Sequence, residues 1–334
     1  MIEPPYLLYL GRATDPLSIK TARGIARWRP ALAIGQYRGD PAGLGLDLPD
    51  LGFADAVARG ARTLVVGVAN AGGVMSAATV DDLVAALRAG LDVASGLHQR
   101  LSGEPTIRDM AAACGRRLWD VREPPADLPI GTGARRAGRR LLTVGTDCAV
   151  GKMYTALALE RAMRARGIAA DFRATGQTGI LIAGAGMPVD AVVADFISGA
   201  VERLSPARAD GGWDVIEGQG SLFHPSYAGV SLGLLHGAQP DALVLCHEAG
   251  RTRMRHLTDH AVPDLTRCLH RNLDAARLTN PGARAVGVAL NTTALSPEAA
   301  QRACAEAERA LGLPCQDPVR DGVERIVDRL VATF

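Results

Sequence analysis

The chain has 334 residues, more than the about 100–200 residues usual for one domain, and this length predicts two domains. Because 48% of the residues are apolar, each domain can bury a core. The 37 basic residues nearly balance the 35 acidic ones, which argues against a protein that holds nucleic acid along a groove. No apolar run approaches the ~20 residues of a membrane helix. The six cysteines form no CxxC pair and no leader is evident, so we expect free thiols and a cytoplasmic protein.

The first part of the chain alternates short apolar runs with amphipathic stretches, the pattern of parallel strands joined by helices. Residues 31–35 and 63–69 are predicted strands, and leucines at one helical face predict a helix over 80–101. The glycines in 67–73 lack the G-x-G-x-x-G spacing and indicate an ordinary turn. We therefore predict a small Rossmann-like α/β domain over residues 1–124.

Residues 124–140 contain prolines, glycines and clustered arginines, which predict an interdomain linker that buries nothing. The alternation then resumes and predicts a second α/β domain over residues 138–334. Its predicted strands are 141–146, 168–175, 213–218, 241–248 and 283–291. Its predicted helices are 151–166, 189–204, 227–237, 264–278, 297–311 and 319–331.

The segment 141–155, LLTVGTDCAVGKMYT, has the context of a phosphate-binding loop: a predicted strand, a glycine-containing turn and a helix. Backbone N–H groups at such a helix start converge on an anion, Lys152 adds a positive charge, and Gly151 lets the backbone close around it. Thr146 occupies the usual first-glycine position, and Met153 replaces the hydroxyl that normally ligates Mg²⁺. The loop therefore suits a phosphorylated cofactor without a metal better than nucleotide hydrolysis. The alternative is a glycine-rich turn with an exposed lysine.

Five strings in this order resemble a P-loop family of unknown function, some members of which are D-glutamate N-acetyltransferases: GTDCAVGKMYT (145–155), RATGQTGILIAG (173–184), ADFISGAVE (194–202), IEGQGSLFHP (216–225) and GVSLGLLHGAQPDALVLCHE (229–248). The resemblance covers nearly the whole chain and implies a P-loop NTPase-like parallel-sheet domain preceded by a smaller Rossmann-like domain. It also implies that acetyl-CoA gives its acetyl group to the amine of D-glutamate, in D-amino-acid catabolism. The loop is similar to that of dethiobiotin synthetases as well, from which Met153 departs.

Coenzyme A carries phosphates, so we assign the loop to acetyl-CoA as co-substrate and expect no metal. The residues expected to bind it are Gly145, Thr146, Asp147, Cys148, Ala149, Val150, Gly151, Lys152, Met153 and Tyr154.

Acetyl transfer to an amine needs a base and hydrogen-bond donors, which in open α/β sheets lie at the carboxyl ends of the strands. Glu217 and His224 follow a predicted strand, and either is a candidate general base. The alternative for Glu217 is a structural role, in which its carboxylate stabilises the loop or pairs with Lys152. The alternative for His224 is an ordinary surface histidine. Asp195 is a candidate to orient the substrate ammonium, or else a solvent-facing carboxylate.

Arg173, Gln177 and Thr178 are candidates to bind the substrate carboxylates, the alternative being an arginine in a surface salt bridge. Cys148 lies near a predicted helix start, where a lowered pKa would allow it to accept the acetyl group. Direct attack by the amine needs no such step and is preferred. His256 and His260 have the spacing of a helical metal pair but lack the accompanying glutamate, which favours a structural or solvent-facing pair.

Two rival functions remain open at this point. One is an ATP- and Mg²⁺-dependent ligase of the dethiobiotin synthetase kind, and the other is a non-catalytic nucleotide-binding module. The acetyltransferase and the ligase would each act on a small-molecule substrate. A homodimer is the commonest default assembly.

Overall fold

The computed structural model describes residues 2–15, 18–68, 75–255 and 257–334. The chain divides into two compact units, residues 1–124 with 177–188 and residues 125–176 with 189–334. The short segment 177–188 therefore packs with the first unit, although it lies within the second in sequence. The sequence predicts two domains that follow one another along the chain, and it does not predict that residues 177–188 pack with the first unit.

The first unit contains a five-stranded parallel sheet in the order β2-β1-β3-β4-β5. Its strands are β1 (Tyr6–Gly11), β2 (Ala33–Arg38), β3 (Thr63–Val66), β4 (Asp92–Ser95) and β5 (Leu118–Asp120). Helices preceding residue 125 are α1 (Lys20–Trp28), α2 (Phe53–Ala58), α3 (Ala77–Ala89) and α4 (Pro105–Cys114). Leucines and valines of the strands and of α3 form its core, as expected for a sheet covered by helices.

The predicted helix over 80–101 is wrong at its second half. Helix α3 ends at Ala89, and Gly90 caps it in the left-handed conformation at φ 103°, as glycine commonly does after a helix. The chain then enters strand β4, so Leu91 belongs to the approach to a strand rather than to the helical face. Of the glycine-rich turn predicted over 67–73, residues 69–73 lie outside the described residues.

The second unit contains a six-stranded parallel sheet in the order β13-β12-β9-β6-β8-β7. Its strands are β6 (Arg139–Gly145), β7 (Ala170–Arg173), β8 (Trp213–Ile216), β9 (Ala242–Glu248), β12 (Arg284–Asn291) and β13 (Cys315–Gln316). A separate antiparallel hairpin follows β9 and consists of β10 (Arg253–Met254) and β11 (Leu257–Ala261). The helices of this unit are α5 (Lys152–Ala165), α7 (Ile197–Leu204), α8 (Ala228–Ala238), α9 (Leu265–Arg277), α10 (Pro297–Leu311) and α11 (Glu324–Thr333). Helix α6 (Gln177–Ala183) belongs to the first unit.

Strand β6 lies at the centre of this sheet and pairs in parallel with β8 on one side and β9 on the other. The turns that follow these three strands therefore meet at the carboxyl edge, where open α/β sheets bind ligands. The prediction of α/β architecture with parallel sheets is confirmed.

Two predicted helices are shorter than expected. Residues 189–204 form the 3₁₀ turns Val189–Ala191 and Ala194–Phe196, and only then helix α7. The last helix, α11, begins at Glu324 because the short strand β13 and a turn occupy the preceding residues.

The arginine-rich segment 124–140, predicted to be a linker that buries nothing, contains a buried arginine side chain. Arg140 is 3% exposed, and its guanidinium donates hydrogen bonds to the backbone oxygens of Arg136, Ala137 and Pro206. A Cβ at Gly199 would lie 1.9 Å from the Pro129 oxygen, so this segment also packs against α7. Arginine side chains here satisfy backbone carbonyls of the second unit instead of facing solvent.

None of the helices in the described part of the chain combines the length and the apolar character that crossing a bilayer requires.

Candidate active site

The loop between β6 and α5 adopts the turn that its sequence predicts. Gly151 has φ +102° and immediately precedes α5. A Cβ at Gly151 would meet nothing within 4 Å, so the backbone conformation rather than space calls for glycine there. Ala149 also has a positive φ, 53°, a conformation that costs energy for a residue with a Cβ and is typical of ligand-binding turns.

Lys152 is buried within this loop rather than exposed. It is 7% exposed, and its Nζ donates a hydrogen bond of 2.8 Å to the Asp147 backbone oxygen. Burial lowers the pKa of Lys152, and the neighbouring thiols and carboxyl groups, Glu217 among them, oppose that shift. The alternative of a turn with an exposed lysine is therefore wrong.

Asp147 has no exposed surface and fixes the loop to the segment that follows β9. Its Oδ1 accepts a bond from the Cys148 N–H at 2.7 Å, and its Oδ2 accepts bonds from Arg251 Nη1 at 2.9 Å and the Arg255 N–H at 2.8 Å. Arg251 also donates to the Cys148 oxygen and pairs with Glu248. The sequence reasoning missed Arg251, although it lies just after a strand at the carboxyl edge of the sheet.

Glu217 directly follows β8 and is 6% exposed. Its Oε2 accepts hydrogen bonds from the Thr175 N–H at 3.0 Å and the Gly176 N–H at 3.3 Å. Burial raises the pKa of Glu217 to about 7, against the opposing effect of these bonds and of Lys152. A carboxyl group with this pKa changes protonation state near neutral pH, as a general base requires.

The backbone beside Glu217 packs tightly on the loop. A Cβ at Gly218 would lie 1.7 Å from the Thr143 oxygen and 3.0 Å from Lys152 Cδ. The carboxyl group that follows β8 and the lysine that begins α5 are thus held in the same buried region, which the sequence offered as one of two alternatives for Glu217.

His224 is buried in the loop that follows Glu217, at 3% exposure, and its ring stacks on Tyr227 at 4.4 Å between centroids. Its Nδ1 accepts a hydrogen bond of 3.2 Å from the Ser226 N–H. The neutral ring therefore carries its proton on Nε2 and presents a donor there. This bond contradicts a general-base role for His224, because the lone pair of the neutral ring is already used.

Asp147, Cys148 and His224 offer potential ligand atoms that lie within 4.8 Å of one another. Both carboxylate oxygens of Asp147 and Nδ1 of His224 already accept N–H bonds. Four N–H donors therefore compete for the atoms that a cation would need, and the donor set fits a hydrogen-bonded cluster better than a metal centre.

The expectation that Cys148 has a lowered pKa is wrong. Burial raises the pKa of its thiol, and Asp147 adds to the increase while Lys152 and Arg251 oppose it. The helix start does not outweigh the loss of water around the sulfur.

Arg173 pairs with two carboxylates, which favours the alternative of an arginine in a salt bridge, and its role in substrate binding stays a prediction. Its Nε and Nη2 lie 2.9 and 2.8 Å from Oδ1 of Asp214, which is fully buried, and Nη2 lies 3.7 Å from Asp171. The pairing arises because Asp171 and Asp214 are register partners on β7 and β8, and the guanidinium turns back along the strands towards them.

Gln177 and Thr178 lie at the start of α6 and make their contacts within the first unit. The hydroxyls of Thr178 and Thr21 are 3.2 Å apart, and the Gln177 amide packs against Gly96 and Arg122. Their role in substrate binding stays a prediction. Asp195 is exposed on a 3₁₀ turn, which favours its solvent-facing alternative.

His247 lies near the end of β9, at the carboxyl edge of the sheet. Its Nδ1 lies 2.8 Å from Thr146 Oγ1 in the loop. Burial, followed by the charge of Arg251, lowers the pKa of His247 to about 4, so this ring is neutral at physiological pH. The pairing of His256 with His260 is not described, because His256 lies outside the described residues.

Comparison with known proteins gives consistent matches to both units. Residues 129–327 match the DUF1611 P-loop domain and residues 35–124 the DUF1611 Rossmann-like domain. A D-glutamate N-acetyltransferase of Tritonibacter scottomollicae is 52% identical, over 99% of this chain and 100% of its own. One from a Pseudoalteromonas species is 47% identical, over 98% of this chain and 99% of its own. The crystal structure of a DUF1611 family protein from Anabaena variabilis has a TM-score of 0.86 and 34% identity, covering 99% of this chain and 100% of that one.

Proposed function

The chain belongs to the DUF1611 family, and on that premise we propose that it is a D-glutamate N-acetyltransferase that takes its acetyl group from acetyl-CoA. The observation that carries the proposal is the full-length similarity, at 52% and 47% identity, to two enzymes of that name. The buried carboxyl group of Glu217, with its pKa of about 7, supports it chemically. The reaction would begin the catabolism of a D-amino acid, and the six free thiols suit a cytoplasmic enzyme.

Glu217 is the proposed general base. The substrate ammonium loses a proton to the Glu217 carboxylate, and the resulting amine attacks the thioester carbonyl carbon. A C–N bond forms, and the C–S bond breaks as the tetrahedral intermediate collapses. The nitrogen loses its second proton to the departing CoA thiolate, and Glu217 passes the first proton to solvent, so that one proton is released in each turnover. Because Glu217 is desolvated and held by two backbone N–H groups, its carboxylate keeps one orientation towards the nitrogen.

His224 is the proposed hydrogen-bond donor. Its Nε2–H is free of the Ser226 bond, which uses Nδ1. A fixed donor beside the loop can stabilise negative charge that develops on the carbonyl oxygen in the tetrahedral intermediate. Glu217 and His224 thus take different roles, set by which atoms the backbone already occupies.

The loop supplies an anion site, since Lys152 and the start of α5 face the same turn. Both reactants carry anionic groups that could bind there. Acetyl-CoA has phosphates, which the sequence predicts as the ligand of the loop, and D-glutamate has two carboxylates. The ligase alternative would need Mg²⁺ and ATP, and Met153 in place of a hydroxyl weighs against it.

The test is to mix purified protein with acetyl-CoA and a panel of D- and L-amino acids in EDTA, and to titrate the released thiol. We expect thiol release with D-glutamate and none with L-glutamate. The Glu217→Gln variant is the control for release that does not use this site. Release of phosphate from ATP, dependent on Mg²⁺ and without acetyl transfer, would establish the ligase alternative instead.

A further inference from the structure

The position of Glu217 bears on which anion the loop binds. Glu217 and Lys152 lie in one buried region, with the backbone of Gly218 packed against the lysine side chain. Each acts on the charge of the other: Lys152 lowers the pKa of Glu217, and Glu217 raises that of Lys152. An anion bound at Lys152 is therefore close to the proposed base.

The two candidate anions differ in how far they lie from the reacting atom. In an α-amino acid the nitrogen and the carboxylate are attached to the same carbon. In acetyl-CoA the whole pantetheine arm separates the pyrophosphate from the thioester. A carboxylate at Lys152 places the substrate nitrogen beside Glu217, whereas a pyrophosphate there places the thioester far from it unless the arm folds back.

We propose that the loop binds the α-carboxylate of the acceptor amino acid, with Lys152 as its cation. This inference rests on the proposed function. It makes the loop the binding site of the amino acid that accepts the acetyl group, instead of the binding site of acetyl-CoA. It departs from the assignment to acetyl-CoA that the sequence suggests, because the sequence does not show that the base and the loop share one region.

The charges around the site support this assignment. The charge of Arg173, the expected carboxylate ligand, is already balanced by Asp214 and Asp171, which makes Lys152 the better cation for a carboxylate. Lys152 is buried and its Nζ makes a bond to one backbone oxygen, which leaves N–H donors of the ammonium group for a ligand. A carboxylate carries a single charge and needs no Mg²⁺, which agrees with Met153 at the position after the lysine.

The wild-type protein allows a direct binding test, because the chain contains only two lysines, Lys20 and Lys152. Lysine labelled with nitrogen-15 at the ε position gives two signals, which a Lys20→Arg variant assigns. We expect D-glutamate, added with or without CoA, to shift the Lys152 signal. We expect D-isoglutamine, whose α-carboxylate is an amide, to leave it in place, and D-glutamine, which keeps that carboxylate, to shift it.

Kinetics of Lys152→Ala and Lys152→Gln give the second measurement, with Arg302→Ala as an exposed-cation control. We expect the KM for D-glutamate to rise about 10- to 100-fold, the effect of losing a charge-assisted bond, and the Kd of CoA to stay unchanged. The penalty should persist with S-acetylpantetheine, which lacks phosphates, and disappear for D-isoglutamine.

A Lys152 signal that responds to CoA or inorganic phosphate but not to D-glutamate, or to neither, overturns the inference. So does a variant that loses CoA affinity and keeps its KM for D-glutamate. If the wild type does not acetylate D-glutamate at all, the proposed function fails, and the binding measurement still reports on the loop.

Discussion

Glu217 and Lys152 follow the ends of the paired strands β8 and β6, and each opposes the pKa shift that burial imposes on the other. Neither group is fully compensated by its neighbour, since burial remains the largest cause for both. A buried acid that titrates near neutral pH beside a buried cation is common at catalytic and binding sites, where burial and neighbouring charges shift pKa values.

The reaction should depend on the ionised form of Glu217. Its pKa of about 7 predicts that kcat/KM rises with pH and levels off above about pH 7. Glu217→Gln should lower kcat by about 10²–10⁴-fold, the usual contribution of a general base. A pH–rate profile measures both effects, and a variant that keeps its full rate would remove Glu217 from the chemistry.

The same residue should cost stability at high pH. Burial raises the pKa of Glu217 from 4.5 to about 7, so the folded protein binds this proton more tightly than the unfolded chain does. Its contribution to the free energy of unfolding is full below about pH 4.5 and is lost as the pH rises through about 7. At pH 8 we expect the free energy of unfolding of Glu217→Gln to exceed that of the wild type by about 1–3 kcal/mol, as measured by denaturant unfolding. At pH 4 we expect no such gain. Equal stabilities at pH 8 would contradict the raised pKa.

Cys148 should be dispensable for acetyl transfer. Burial raises the pKa of its thiol, so little thiolate is present at neutral pH, and direct attack by the amine needs no covalent step. Cys148→Ala should keep most of its turnover in a steady-state assay. A loss of 10²-fold or more, with Cys148→Ser equally inactive and both variants folded, would argue for an acetyl-cysteine intermediate.

His224 should act as a donor and not as a base. The amide nitrogen of glutamine can take the place of Nε2–H, whereas that of asparagine reaches only to the position of Nδ1. We therefore expect His224→Gln to keep kcat within about 10-fold and His224→Asn to lose about 10²–10³-fold, as when an oxyanion donor is removed. If both variants lose activity equally and the pH profile loses a limb, His224 is a base after all.

The tight approach of Gly218 to β6 should be visible in stability. A Cβ there would lie 1.7 Å from the Thr143 oxygen, so Gly218→Ala should cost about 1–3 kcal/mol or more through overpacking. Gly229→Ala is the matched control, because a Cβ at this helical glycine meets nothing within 4 Å. It should be neutral or stabilising by up to about 1 kcal/mol. Similar unfolding midpoints for the two variants would show that the backbone at Gly218 can move.

The loop and Glu217 could be located from the sequence because each directly follows a buried apolar strand. The run WDVI ends at Ile216, and a carboxyl group that follows such a strand lies at the carboxyl edge of the sheet. The long segment around Lys152 combined a strand, a turn and a helix, so local patterns alone were sufficient there.

The contacts that correct the site depend on register and on distant pairing. The pairing of Arg173 with Asp214 was not predicted because Asp214 lies on a neighbouring strand, 41 residues away along the chain. Arg251 and Asp147 are 104 residues apart, and no local pattern connects them. The orientation of His224 follows from one backbone N–H at Ser226, which composition and spacing do not reveal.

Transfer of an acetyl group from acetyl-CoA to D-glutamate can be tested most directly with acetyl-CoA labelled with carbon-13 at the carbonyl, racemic glutamate and EDTA, followed by chiral separation of the products. We expect labelled N-acetyl-D-glutamate, an equal amount of free CoA, and unchanged L-glutamate. Free CoA without labelled amide, or label on the L-enantiomer, would contradict it.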